Sequence, residues 1–267
     1  IELNGEAVAM NIAAFRYGRR AVVDPQAVEA LVKPAPEIER DPLRLSETFD
    51  ELVSRRVDFL TAYQGKRYAK RYRNWVEKIA AAEANLAPGK TGLSETVARY
   101  LFKLMAYKDE YEVARLYSDT QFLDQVKASF DGKLSFEFHL APPLLARIDK
   151  ATGEPKKKAF GAWMLTAFRV LSKFKVLRGT PLDPFGYTAE RRTERGLIRD
   201  YELLLSETLD HLTPDNHHIV VALAAIPEKI RGFGPIKQRH LATAKAEESA
   251  LREQLQSATA PILKAAE

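Results

Sequence analysis

Apolar residues recur at three- and four-residue steps through most of this chain, a spacing that lines them along one side of an α-helix. The clearest case runs from Lys66 to Leu86, where Tyr68, Tyr72, Trp75, Val76 and Ile79 share a face. The same period appears from Ser46 to Gly65 through Phe49, Leu52, Val53, Val57 and Leu60, with Ser46 as the expected cap. A third block, Leu93 to Tyr117, carries Val97, Leu101, Leu104, Met105 and Val113 and reads as one long helix. Further helices are expected after Ser118 (Phe122, Leu123, Val126), over Trp163 to Phe174, from Thr188 to His211, from Thr213-Pro214 through Ala224, and from Gln238 onward. Near the start, Leu3 to Phe15 is amphipathic with Gly18 as its stop, and Asp24-Pro25 opens a short helix as N-cap and first-turn proline. One segment alternates instead: Leu134, Phe136 and Phe138 against Ser135, Glu137 and His139. The expected fold is mainly α, a multi-helix domain with a small β-hairpin near residues 134–160.

Composition narrows the chemistry. The 267 residues include no cysteine, which excludes a disulfide framework, a thiolate nucleophile, a zinc–thiolate site and a cysteine-ligated cluster within this sequence. No 18-residue apolar run exists, so no membrane span is expected. Residues 1–20 lack a basic region ahead of an apolar core and do not read as a signal peptide; a helical pattern already running at Ile1 reads as part of something longer. A formal charge of +5 conceals two basic stretches. Arg55 to Lys78 contains eight Lys or Arg against Asp58 and Glu77, and Arg147 to Arg178 contains nine against Asp149 and Glu154. Such stretches are ordinarily solvated helix faces; the sharper alternative is a docking face for an acidic partner. No nucleic-acid module is recognisable, and nucleic acid is not an expected partner.

Motifs for catalysis are sparse. Gly89-Lys90-Thr91 lacks the earlier glycine of a phosphate-binding loop, because position 84 is alanine, and reads as a turn between helices. His217 and His218 are adjacent, so their side chains diverge by about 100° on a helix and do not share a metal. No metal site and no catalytic residue is assigned. His139 beside Glu137, together with Asp183 and Tyr187, is the one constellation in which a pocket is considered. Lys108 and Glu112 are spaced for a helix pair.

The longer strings are more specific. Ala98-Arg99-Tyr100-Leu101-Phe102-Lys103-Leu104-Met105-Ala106-Tyr107-Lys108-Asp109-Glu110-Tyr111 and Phe138-His139-Leu140-Ala141-Pro142-Pro143 resemble the C-terminal region of the large bacterial indolepyruvate ferredoxin oxidoreductases. So do Lys158-Ala159-Phe160-Gly161, Leu177 through Arg192, and Ile230-Arg231-Gly232-Phe233-Gly234, while Leu3-Asn4-Gly5-Glu6-Ala7-Val8, Asn11, Ala14-Phe15 and Gly18-Arg19 resemble the closing helix of the family's gamma domain. The resemblance implies a cytoplasmic enzyme that oxidatively decarboxylates aryl-2-oxoacids to acyl-CoA and CO2. Thiamine diphosphate, Mg2+, [4Fe-4S] clusters and coenzyme A would serve it, and ferredoxin would accept the electrons. It also implies that this part binds none of those cofactors itself, since it has no Gly-Asp-Gly motif and no cluster ligands. The expected organisation is then terminal helices of a truncated gamma domain (1–32), a proline-containing linker (33–45), a helical domain (46–240) and a C-terminal helix or tail (241–267). Its expected role is assembly with the remainder of the oxidoreductase, or docking on the ferredoxin or CoA side, with Lys156, Lys157, Lys158 and Arg178 as candidates to face phosphates. The alternative is a purely structural interaction module.

Overall fold

A computed structural model of the chain describes residues 7–31, 46, 48–118, 122–130, 132, 134–140, 156 and 158–259. Its chain divides into two units, residues 1–44 with 124–134, and residues 45–123 with 135–267. The first contains α1 (Val8–Val23) and α2 (Pro25–Glu29). The Asp24 carboxylate accepts a hydrogen bond from the Ala27 N–H at 3.0 Å, so the expected cap of α2 is present. Gly18 does not stop α1, which continues to Val23. A glycine in mid-helix only weakens the helix; it ends one when its backbone turns left-handed, and Gly18 does not. The expected 33–45 linker lies outside the described residues.

In the second unit, α3 (Phe49–Tyr63), α4 (Lys66–Leu86), α5 (Leu93–Met105), α9 (Ala189–Leu209), α10 (His217–Ala225) and α11 (Gly234–Thr259) build the main core. α3 packs on α4, α4 on α5, α5 on α9 and α10, and α10 on α11. The buried faces are those of the sequence period: Tyr72, Val76 and Ile79 on α4, Val97 and Leu101 on α5, Leu204 and Leu205 on α9. Each fully buried aliphatic side chain contributes roughly 1.5–3 kcal/mol relative to exposure. Thr48 rather than Ser46 caps α3, its hydroxyl accepting from the Glu51 N–H. α9 starts where the period placed it, and the Thr188 hydroxyl caps it by accepting the Arg191 N–H. After Thr213-Pro214 the chain makes a reciprocal turn between Thr213 and Asn216 before α10 starts at His217. α11 is continuous from Gly234, so the boundary expected at 240/241 falls inside a helix.

A smaller cluster joins α6 (Glu110–Ser118), α8 (Met164–Lys173) and a two-stranded antiparallel hairpin, β1 (Phe138–Leu140) with β2 (Lys158–Phe160). Phe138 faces Phe160 in the register, and His139 faces Ala159. A hairpin of this length needs a surface to lie on. Phe138 supplies the anchor: its ring meets Phe168 and Tyr117 edge-on at 5.4 and 5.3 Å. α7 spans Phe122–Ser129 and falls largely in the first unit, and at the end of α6 the Ser118 hydroxyl donates back to the Ala114 carbonyl.

Candidate functional site

The helix expected over Leu93 to Tyr117 is broken at residues 106–109, and that break organises a polar joint. Breaking a helix frees carbonyls that need donors. The Tyr68 hydroxyl donates to the Met105 carbonyl at 3.0 Å and the Tyr63 hydroxyl to the Tyr107 carbonyl at 2.7 Å. Asp109 then starts α6, its carboxylate accepting the Glu112 N–H at 2.8 Å. The same carboxylate receives Arg178 through Nε (2.5 Å) and Nη2 (2.8 Å), while Arg178 Nη1 donates to the Tyr63 carbonyl at 2.8 Å. The guanidinium carbon lies 3.6 Å from the centre of the Tyr63 ring.

Arg178 and Asp109 are each only 3% exposed, which decides their role. A charge so buried is tolerated only when paired and hydrogen-bonded. Burial alone would lower the Arg178 pKa, but its hydrogen bonds to Asp109 and neighbouring charge outweigh it, and the group is held protonated. Burial likewise pushes the Tyr107 phenol up to about 12, with Asp109 adding to the shift. Two further bonds extend the joint: the Tyr111 hydroxyl donates to Asp183 at 3.1 Å, and Arg191 reaches Glu110 at 3.3 Å. Asp183 also accepts the N–H groups of Gly179 and Phe185, closing the 179–186 turn. Gly186 belongs to this turn for a steric reason: a Cβ there would sit 2.8 Å from Asp183 Oδ2 and 3.2 Å from Arg195 Nη1.

Beside the joint lies a hollow of about 550 Å³ lined by Gln64, Tyr68, Tyr107, Ile198 and five arginines, Arg71, Arg178, Arg192, Arg195 and Arg199. It adjoins a wider groove of about 840 Å³ whose lining adds Lys66, Arg67 and Lys70 from the first turns of α4. Two of the five arginines are matched by carboxylates: Arg178 by Asp109, and Arg71 by Glu202 in a two-pronged pair at 2.7 and 2.6 Å. Arg192, Arg195 and Arg199 have no carboxylate partner among the described residues. Arg195 is anchored instead by Nη2 donating to the Gly186 carbonyl at 2.6 Å, while its buried Nη1 lacks an acceptor.

The residues singled out from sequence do not form one constellation. His139 is exposed on β1 and pairs with Glu137 at 2.9 Å. Asp183 is buried in its turn, and the Tyr187 hydroxyl donates to the Pro181 carbonyl at 2.5 Å. Lys156 and Lys158 are exposed at the hairpin, whereas Arg178 is turned inward to Asp109 and does not present its charge to solvent. Lys157 lies outside the described residues. Glu112 does not pair with Lys108, which precedes α6; it forks onto Arg115 at 2.8 and 2.7 Å. His217 and His218 diverge as expected: His217 is buried 2.8 Å from Glu83, and His218 is exposed. Among the described residues no group of three or more His, Asp and Glu side chains could hold a metal ion, and no described helix is long and apolar enough to cross a membrane.

Along the chain the arginine row of α9 is masked by the interleaved Glu190, Glu194, Asp200 and Glu202, and only helical spacing brings it onto one face. Positions 192, 195 and 199 fall within about 60° of one another on a helix.

The class defined so far is a mainly helical domain with a minor hairpin, a buried arginine–aspartate joint and a cationic hollow. Residues 49–250 match DUF6537, described as a family of unknown function, and the chain belongs to that family. No curated protein and no solved structure matches the chain.

Proposed function

We propose that the chain is a non-catalytic part of an aryl-2-oxoacid:ferredoxin oxidoreductase, serving assembly of the enzyme or docking on its ferredoxin or CoA side. One observation supports the non-catalytic half of this reading. The two longest strings that carry the resemblance, Ala98 to Tyr111 and Leu177 to Arg192, meet in the joint, through Arg178 with Asp109, Tyr111 with Asp183 and Arg191 with Glu110. Their polar groups satisfy one another, as expected of residues that hold a fold and not of residues that await a substrate. The sequence offers no cysteine for a cluster and no Gly-Asp-Gly motif for thiamine diphosphate, so both chemistries would belong to other parts of such an enzyme.

The test uses the full-length protein that contains this chain. Reduction of ferredoxin that depends on indolepyruvate and CoA supports the reading; a full-length protein without bound thiamine diphosphate and without that activity overturns it. Within the active enzyme, neutralising Lys156 to Lys158 separates the two roles. A change in the salt dependence of ferredoxin reduction or in CoA affinity favours docking, because charge steers encounter in proportion to its screening. Silence there, combined with subunit separation when an apolar face is disrupted, favours the architectural alternative.

A further inference from the structure

We propose that the hollow between the start of α4 and the arginine face of α9 binds a phosphate-bearing small molecule with two or more anionic groups. This goes beyond the preceding reading and does not depend on it.

The charge balance is local. The described ion pairs consume Arg71 and Arg178, leaving the guanidinium groups of Arg192, Arg195 and Arg199 with no counter-charge in the hollow. Carboxylates do exist on α9, but they are drawn elsewhere. Glu194 is buried between Arg191 and Lys237 (2.5 and 2.9 Å), and Glu202 is held by Arg71. Three like charges on one helix face repel, so the uncompensated row is mildly destabilising until an anion arrives.

Shape and chemistry select the occupant. A volume of about 550 Å³ lies in the range of small-molecule sites and is too small for a macromolecular surface. Seven residues separate Arg192 from Arg199, a rise of about 10 Å along the helix. One monoanion cannot engage cations spread over that distance; a chain of phosphates can. Planar guanidinium forks match phosphate oxygens two at a time, which a row of lysines would not do. Tyr68, Tyr107 and Ile198 supply an apolar side for an organic moiety. Arg195 is held in place by Gly186, and the lysines of the adjoining groove raise the local potential that draws an anion in.

The test is titration calorimetry of the whole chain with tripolyphosphate, inorganic phosphate and citrate at fixed ionic strength. Tripolyphosphate is expected to bind saturably with a 1:1 stoichiometry and at least roughly tenfold more tightly than either inorganic phosphate or citrate. R192Q/R199Q is expected to weaken tripolyphosphate by roughly tenfold or more, because two charge-assisted contacts are lost. K90Q/R239Q removes the same charge from exposed positions that line neither the hollow nor the adjoining groove, and is expected to leave binding unchanged. Absence of saturable binding, equal binding of citrate, or equal weakening by the two double variants would each overturn the proposal. Far-UV circular dichroism and thermal melts of both variants establish that a lost signal is not lost folding.

Discussion

Arg178 and Arg195 line the same hollow, yet they belong to different kinds of region. Arg178 is enclosed, forked onto Asp109 and covered by Tyr63; Arg195 is half-buried and bonded only to a backbone carbonyl. The two regions use the same side chain, and what differs is the supply of carboxylates. Where a carboxylate is delivered by a distant segment, the arginine becomes part of the framework. Where none is delivered, the charge stays available to a ligand.

The largest expected effect tests the framework side. D109A leaves the Arg178 guanidinium buried without its counter-charge and should cost about 3–5 kcal/mol, read as a lowered urea midpoint. A loss below about 1 kcal/mol would mean that Arg178 escapes to solvent and behaves as Arg195 does.

An intermediate effect concerns a second buried charge, Glu83. It accepts the N–H groups of Leu93 and Ser94 at 2.8 and 2.9 Å, the Ser94 hydroxyl, and the His217 ring at 2.8 Å, so it ties the start of α5 to α4 and α10. Burial works to raise its pKa, but hydrogen bonds from Ser94, His217 and the backbone outweigh that, and the group is lowered. A carboxylate whose folded pKa lies below its unfolded value stabilises the fold above the unfolded value, about 4.3. That contribution disappears as pH falls through the folded value. E83Q should therefore cost about 1–3 kcal/mol near neutral pH, and the gap from the parent protein should narrow below about pH 4. A gap that stays constant down to acid pH would show that charge on Glu83 contributes nothing. The smallest stability effect belongs to the hollow: R192Q/R199Q should shift stability by no more than about 0.5 kcal/mol, since neither side chain has an ion-pair partner among the described residues. A larger loss would place those arginines with Arg178 in the framework.

Much of the helical framework was legible from local pattern. Lys66–Leu86 appears with the bounds its periodicity implied, as do the Asp24 cap and the Gly89–Gly92 turn, where both glycines adopt positive φ. The break after Met105 was not legible. Residues 93–117 carry an uninterrupted helical period, and the interruption is stabilised by Tyr63, Tyr68 and Arg178, which come from other elements. Capping at Thr48 instead of Ser46, and the delayed start of α10, are shifts of two to four residues, within the competition among neighbouring hydroxyl and amide side chains for the same N–H groups.

The candidate site divides the same way. The basic character of α4 could be read along the chain, because Lys66, Arg67, Lys70 and Arg71 are consecutive turns of one helix. The cationic face of α9 could not, because Glu190, Glu194, Asp200 and Glu202 interleave with its arginines and make the segment look balanced. The amino-acid sequence by itself determined that the chain is helical, free of thiol chemistry and rich in arginine. Only the tertiary structure decided which arginines are neutralised. Helical periodicity is a property of neighbours, but an ion pair depends on which carboxylate the fold brings within reach: Asp109 to Arg178, Glu202 to Arg71, and none among the described residues to Arg192, Arg195 or Arg199.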